Sequence, residues 1–242
     1  MFHMFEVLLF AALPAFGIII GSFLAESIRT PKWLIGASLH TTAGIAIALV
    51  SVNIMPRLLG VTPTWLITVA FLAGAGISVL IASIPGAFRH RSHAGNTSAW
   101  MVCIAVAIDL VSDGLMVGAG TAVGAQLGFL FAATQSIANI PGGFAATANL
   151  RDDKVPKALR MALSFSMLVP ALLSAAFGYY GLRDASSLVH GVVLSVFVGI
   201  LLLATIEDVI PQGDEPNPPR WVSTTAFALG FVGLTLLSGI LG

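Results

Sequence analysis

The sequence predicts an all-α, polytopic membrane protein with eight transmembrane helices in a 3 + 2 + 3 inverted-repeat arrangement. Three observations carry that prediction. Of 242 residues, 57% are hydrophobic and 9% are charged, whereas a soluble domain carries about 25% charged residues. Eight apolar runs approach or exceed the roughly 20 residues a helix needs to cross about 30 Å of hydrocarbon. Polar residues and prolines recur at matching places in the second and seventh of those runs.

The runs fall at 5–25, 34–55, 64–85, 99–122, 126–148, 158–180, 186–209 and 219–241. The first begins within MFHMFEVLLF, which lacks the basic region of a cleaved signal peptide and reads as a retained helix. Between runs lie turn-forming stretches: RTPK at 29–32, RHRSHAGNTS at 89–98, RDDKVPK at 151–157 and PQGDEPNPPR at 211–220. None has the length of a soluble domain, so residues 1–242 are expected to form one membrane domain. Nine basic residues (Arg29, Lys32, Arg89, Arg91, Arg151, Lys154, Lys157, Arg160 and Arg220) fall on one side of that layout, and two (Arg57 and Arg183) on the other. The basic side is expected to be cytoplasmic, which places both termini outside a cell membrane.

The second run ends GIAIALVSVNIMP, from Gly44 through Asn53 to Pro56. The seventh ends GILLLATIEDVIP, from Gly199 through Asp208 to Pro211. These runs are the second of the first three and the second of the last three, five apart. Equivalent helices therefore cross in opposite directions, the signature of inverted-repeat transporters.

Net charge is zero and no basic patch suggests nucleic acid. A single cysteine, Cys103, excludes a disulfide framework and a zinc-thiolate cage. The informative residues are polar groups inside apolar runs. Asp109 and Asp113 stand at i and i+4, one helical turn apart on one face. Carboxylates near the bilayer centre are costly, and two so close repel unless a proton or a cation intervenes. Gln135 and Asn139 repeat the spacing on the fifth run, where Pro141 frees a carbonyl near Ile137, and Gly142 and Gly143 allow close helix approach. Amides, carboxylates and freed carbonyls are hard oxygen ligands, although the same groups also serve to glue helices together. Glu207 and Asp208, with Asn53 as the repeat counterpart of Asp208, fit ports at the pathway ends or interfacial residues equally well. His40 and His190 fit packing roles better than ligation. His90, Arg91 and His93 read as a solvated basic loop, and Glu6 and Glu26 as helix-end residues.

DLVSDG at 109–114 and ANIPGG at 138–143, together with NIMP at 53–56 and EDVIP at 207–211, resemble the ZIP family of divalent metal transporters. The family has eight spans, outside termini and a 3 + 2 + 3 repeat. Its metal site is built from the fourth and fifth spans, on patterns such as HNxxDG and HExPEG. The resemblance implies that Asp109 stands at the family's histidine, Leu110 at its asparagine and Asp113 at its acid. Ala138 stands at the first fifth-span ligand, Asn139 at the second and Gly142 at the second acid, and Val169 stands where many members carry glutamate. The expected ligand set is thus Asp109, Asp113, Asn139 and Gln135, with Asp208, Glu207 and Asn53 at the ports. An all-oxygen set suits Mn²⁺, Mg²⁺ or Fe²⁺ better than tight Zn²⁺.

The expectation is a transporter moving a divalent cation (Mn, Fe, Zn or similar) toward the cytoplasm, with pH-sensitive uptake because metal displaces protons from the acids. The outer triplets are expected to move against spans four and five. The alternative is a non-transporting ZIP-like scaffold or sensor with a decayed metal site. An enzyme is not expected, since an aspartate dyad would come from two facing helices. No prosthetic group is expected, and the metal ion is substrate. The expected partners are that ion and the lipid bilayer, with a homodimer as candidate assembly.

Overall fold

The structure is a computed structural model that describes residues 2–27, 32–89, 97–215 and 217–241. Arg29 and the loop residues His90, Arg91 and His93 lie outside them. Every regular element among the described residues is a helix: α1 (Phe2–Ser27), α2 (Lys32–Ala48), a π-helical turn π1 (Leu49–Ile54), α3 (Met55–Val61), α4 (Thr64–Arg89), α5 (Thr97–Val123), α6 (Ala125–Asp152), α7 (Lys157–Ser166), α8 (Leu168–Leu182), α9 (Ser187–Ala204), a second π-helical turn π2 (Thr205–Val209), α10 (Ile210–Asp214) and α11 (Arg220–Leu241). Several join end to end. Six of the resulting rods are long and apolar enough to cross a membrane: Met4–Ser27, Gly36–Val61, Val106–Val123, Lys157–Leu182, Ser187–Asp214 and Arg220–Ile240. Within α4, Thr64–Leu80 is a shorter apolar helix. The outward faces carry large apolar side chains such as Phe5, Leu72, Phe177 and Ile240. A water-facing surface does not tolerate that much apolar area, so the chain is a multi-pass membrane protein.

Each apolar run of the sequence lies within a helical rod, with one systematic difference. Pro56 and Pro211 were expected to end the second and seventh runs. Both rods instead continue past them, to Val61 and Asp214. A proline inside an α-helix lacks its N–H and clashes with the carbonyl four residues back. Here each proline stands second in a short helix that follows a π turn. The wider turn shifts the hydrogen bonds to residues five apart, Met55 N–H to the Val50 carbonyl and Ile210 N–H to the Thr205 carbonyl, which gives the ring room. The offset that relates Gly44 to Gly199 and Asn53 to Asp208 also relates these two bonds. The π turns are therefore the same device placed twice.

Packing divides the chain into two sets of helices. α1 lies along α6 and α5 along α8, with α5 and α6 in contact; α2 lies along α11 and α4 along α9. The first set is joined throughout, whereas in the second the α2–α11 and α4–α9 pairs meet mainly through α3, α10 and the two π turns. Each of the four pairings is closed by glycine against carbonyl. A Cβ at Gly44 would overlap the Phe227 carbonyl and one at Gly230 the Thr41 carbonyl; Gly199 meets Phe71 and Gly74 meets Val196 in the same reciprocal way. Gly143 against Ile18 and Gly118 against Ala175 close the other two. Between helices in lipid, where no hydrophobic force separates protein from solvent, such backbone approach supplies the attraction.

Candidate cation site

Asp113 is the best-buried carboxylate among the described residues, at 3% exposure. α5 carries it into the seam with α6, where the Asn139 amide nitrogen donates to Asp113 Oδ2 at 2.7 Å. The same nitrogen donates to the backbone carbonyl of Pro14 on α1 at 3.3 Å. Three helices thus converge on one point. Two oxygens, one of a carboxyl group and one a backbone carbonyl, face a single donor there. Rotating the amide by half a turn would present Oδ1 to that point, since the two ends of an amide are nearly the same shape.

Gln135 lies on the next rung of the same seam. It is buried, and its amide nitrogen donates to the Met116 sulfur at 3.8 Å. The hydrogen bond it makes is to Met116, not to Asp113. Asp109 stands one turn before Asp113 on α5, as expected, but the two differ in burial. Asp113 is enclosed, whereas Asp109 is exposed. One helical turn rotates i and i+4 by about 40°, enough at the edge of a seam to move one side chain outside it. Asp109 lies within electrostatic reach of Asp113, Asp208 of Asp109, and Glu207 of Asp208. The four acids form an electrostatic series that starts inside the first helix set and ends on π2 in the second. Among the described residues, no three His, Cys, Asp or Glu side chains gather closely enough to hold a metal ion. The convergent set is one carboxylate, one amide and one backbone carbonyl.

Asn53 is not part of that series. Its amide donates to Ser238 Oγ on α11 at 2.8 Å, so it ties two helices of the second set together. Glu207 and Asp208 are exposed on π2. His190 meets the Leu182 carbonyl at 2.7 Å across the connection between α8 and α9, a packing role. His40 is buried and lies against Asp214.

Sequence reasoning missed the contribution of α1. Pro14 carries a signal, a proline inside an apolar helix, but nothing in the sequence aims its carbonyl at Asn139. Two turns farther along α1, Ser22 receives hydrogen bonds from Thr147 Oγ1 at 2.8 Å and Ser164 Oγ at 2.7 Å. One turn beyond that, Glu26 accepts Nε and Nη2 of Arg160, both at 2.6 Å, with both side chains largely buried. Glu26 is therefore a structural ion pair and not the incidental helix-end acid that its position suggests. Positions 14, 18, 22 and 26 of α1 and 139, 143, 147 and 151 of α6 share the four-residue step, so the polar groups form a ladder along one seam.

No family model and no curated protein matches the chain.

Proposed function

We propose that the chain is a ZIP-type divalent cation transporter that spans the membrane eight times, with both termini outside and the basic connections in the cytoplasm. The observation that carries this reading is the convergence of the Asp113 carboxylate, the Asn139 amide and the Pro14 carbonyl deep in the α1–α5–α6 seam. Intramembrane acids usually mark ion pathways. A cation arriving here would take an Asp113 oxygen, the flipped Asn139 oxygen and the Pro14 carbonyl, and would complete its shell with water. Asp109, Asp208 and Glu207 would attract it across the gap between the two helix sets. The repeated π turns and the exchanged packing partners support the 3 + 2 + 3 inverted repeat: the first rod pairs with the fifth as the sixth does with the fourth, and the second with the eighth as the seventh does with the third. The packing favours a different division of moving parts from the one the repeat suggests. α1 and α8 are bound to α6 and α5, so these four helices would move as one body against α2, α4, α9 and α11.

The test is accumulation of Mn²⁺, Fe²⁺ and Zn²⁺ in cells that lack their own uptake. Wild type is expected to raise at least one of them and Asp113→Asn, at equal expression, to lose the gain. Equal accumulation by the two proteins would sink the proposal. The second reading, a scaffold with a decayed site, draws on the same amide: Asn139 already satisfies both oxygens as a helix tie. That reading predicts no rise in melting temperature with any divalent metal, whereas a bound ion must stabilise the fold.

A further inference from the structure

We propose that the pocket between α2, α10 and the start of α11 is a headgroup site for an anionic phospholipid, with Arg220 on the lipid phosphate. The site lies apart from Asp113 and does not depend on cation transport.

The argument begins with the charges. Asp214 is the one acid among the described residues that line the pocket, and Arg220 the one arginine. His40 Nε2 lies 3.3 Å from Asp214 Oδ1, and His40 Nδ1 lies 2.9 Å from the Gly36 carbonyl. That ion pair occupies the acid and leaves Arg220 over. Among the described residues the Arg220 guanidinium has no hydrogen-bond or ion-pair partner. A planar fork of donors suits the oxygens of a phosphate.

Neutral donors stand beside it. Arg220, Ser223, Thr224 and Phe227 recur at steps of three and four residues, so they share one face of α11, and all four line the pocket. Thr235 and Ser238 of the same helix hydrogen-bond to the carbonyl four residues back, whereas the Ser223 and Thr224 hydroxyls have no partner among the described residues. The first turn adds backbone groups. The Val222 and Ser223 N–H groups both bond the Pro219 carbonyl. Those of Arg220 and Trp221 precede them, and the proline before them has no side-chain oxygen to cap them. Such N–H groups favour phosphate.

Position selects a lipid over a free anion. The pocket lies where the apolar rods Ser187–Asp214 and Arg220–Ile240 meet the membrane boundary. Trp33 and Trp221, at the starts of α2 and α11, are exposed, and tryptophans collect at headgroup level. α11 also turns Leu229, Val232 and Leu236 outward, so acyl chains lie along the helix whose first turns line the pocket. Basic pockets between spans are a common form of headgroup site. The volume of about 610 Å³ falls within the roughly 300–1,000 Å³ of small-molecule sites. Choline or ethanolamine would bring a second cation beside Arg220 with the acid already taken. A headgroup of hydroxyls, such as glycerol, meets Ser223, Thr224 and Asn217 instead.

The experiment is thermal unfolding of the purified, delipidated full chain in detergent with phosphatidylglycerol, phosphatidylcholine or inorganic phosphate added. Phosphatidylglycerol is expected to raise the midpoint of wild type. Arg220→Gln is expected to need about tenfold more of it for the same rise, the scale of one hydrogen bond to a charged group. Lys157→Gln, which removes an exposed charge elsewhere, is expected to respond as wild type does. Should Arg220→Gln fail to fold, the double variant Ser223→Ala/Thr224→Ala decides alone, with a weakened response expected. The site is overturned if phosphatidylglycerol does not stabilise wild type, or if the deciding variant responds as Lys157→Gln does, which would mean surface charge only. An equal effect of phosphatidylcholine would mean general solvation by lipid, and an equal effect of inorganic phosphate at matched concentration a free-anion site; either overturns the assignment.

Discussion

π1 and π2 share a backbone and differ in what they do with it. Both put a five-residue hydrogen bond ahead of a proline, and both follow a glycine pressed against a neighbouring helix. Yet the polar residue of π1, Asn53, spends its amide on Ser238, while that of π2, Asp208, is exposed beside Glu207 and within reach of the Asp109 charge. The same backbone device thus supplies two equivalent places for a polar group, and one holds a helix tie and the other an exposed acid. Perturbing the shared backbone should affect both copies alike. Perturbing the side chains should not.

The largest expected effect tests the shared part. Gly44→Val and Gly199→Val each place a side chain on a carbonyl of the partner helix, Phe227 and Phe71 respectively, and overpacking of this kind costs about 1–3 kcal/mol. The two variants should lower unfolding stability in bicelles to a similar extent, within the scatter of such measurements. A loss at one glycine with none at the other would show that the two seams are not equivalent and would break the comparison.

The next effect tests the difference. Asp208→Asn makes π2 resemble π1 in charge without changing size. If the acid series guides a cation toward Asp113, uptake should fall roughly tenfold, the scale on which groups supporting a metal site act. Stability should be unchanged, since an exposed acid makes no tie. Measured rates at several metal concentrations check this, and an unchanged rate would remove Asp208 from the pathway.

Much of this contrast was readable before the structure. The runs, the Gly44/Gly199 and Pro56/Pro211 correspondence and the acid at Asp113 all follow from hydropathy, spacing and the cost of burying charge. The π turns were not readable, because a proline after an apolar run signals an end far more often than a widened turn. The difference in burial between Asp109 and Asp113 was not readable either: a four-residue spacing fixes a face to within one turn's drift, and a seam edge is narrower than that. Pro14 and the Glu26–Arg160 pair escaped for a third reason. Their partners are more than 100 residues away in the chain, and only the packing of α1 on α6 and α7 brings them together. α6 itself is not among the helices apolar enough to stand as a span on composition, because the amides and glycines that make the site dilute its hydropathy. The candidate site and the weak span signal have one cause.

The smallest effect concerns the copy without charge. Asn53→Ala removes the 2.8 Å hydrogen bond to Ser238. Ser238 Oγ still has the Leu234 carbonyl of its own helix at 2.9 Å, so no buried group is left stranded. The expected loss is therefore about 0.6 kcal/mol, the average for side-chain hydrogen bonds between helices in a membrane. A double-mutant cycle with Ser238→Ala isolates it: each single variant should cost the shared bond, and the pair little more than either alone. Cation uptake should be unaffected throughout. A fall in uptake with Asn53→Ala, at unchanged stability, would place Asn53 on the pathway beside Asp208 and would mean that the two π turns are functional equivalents after all.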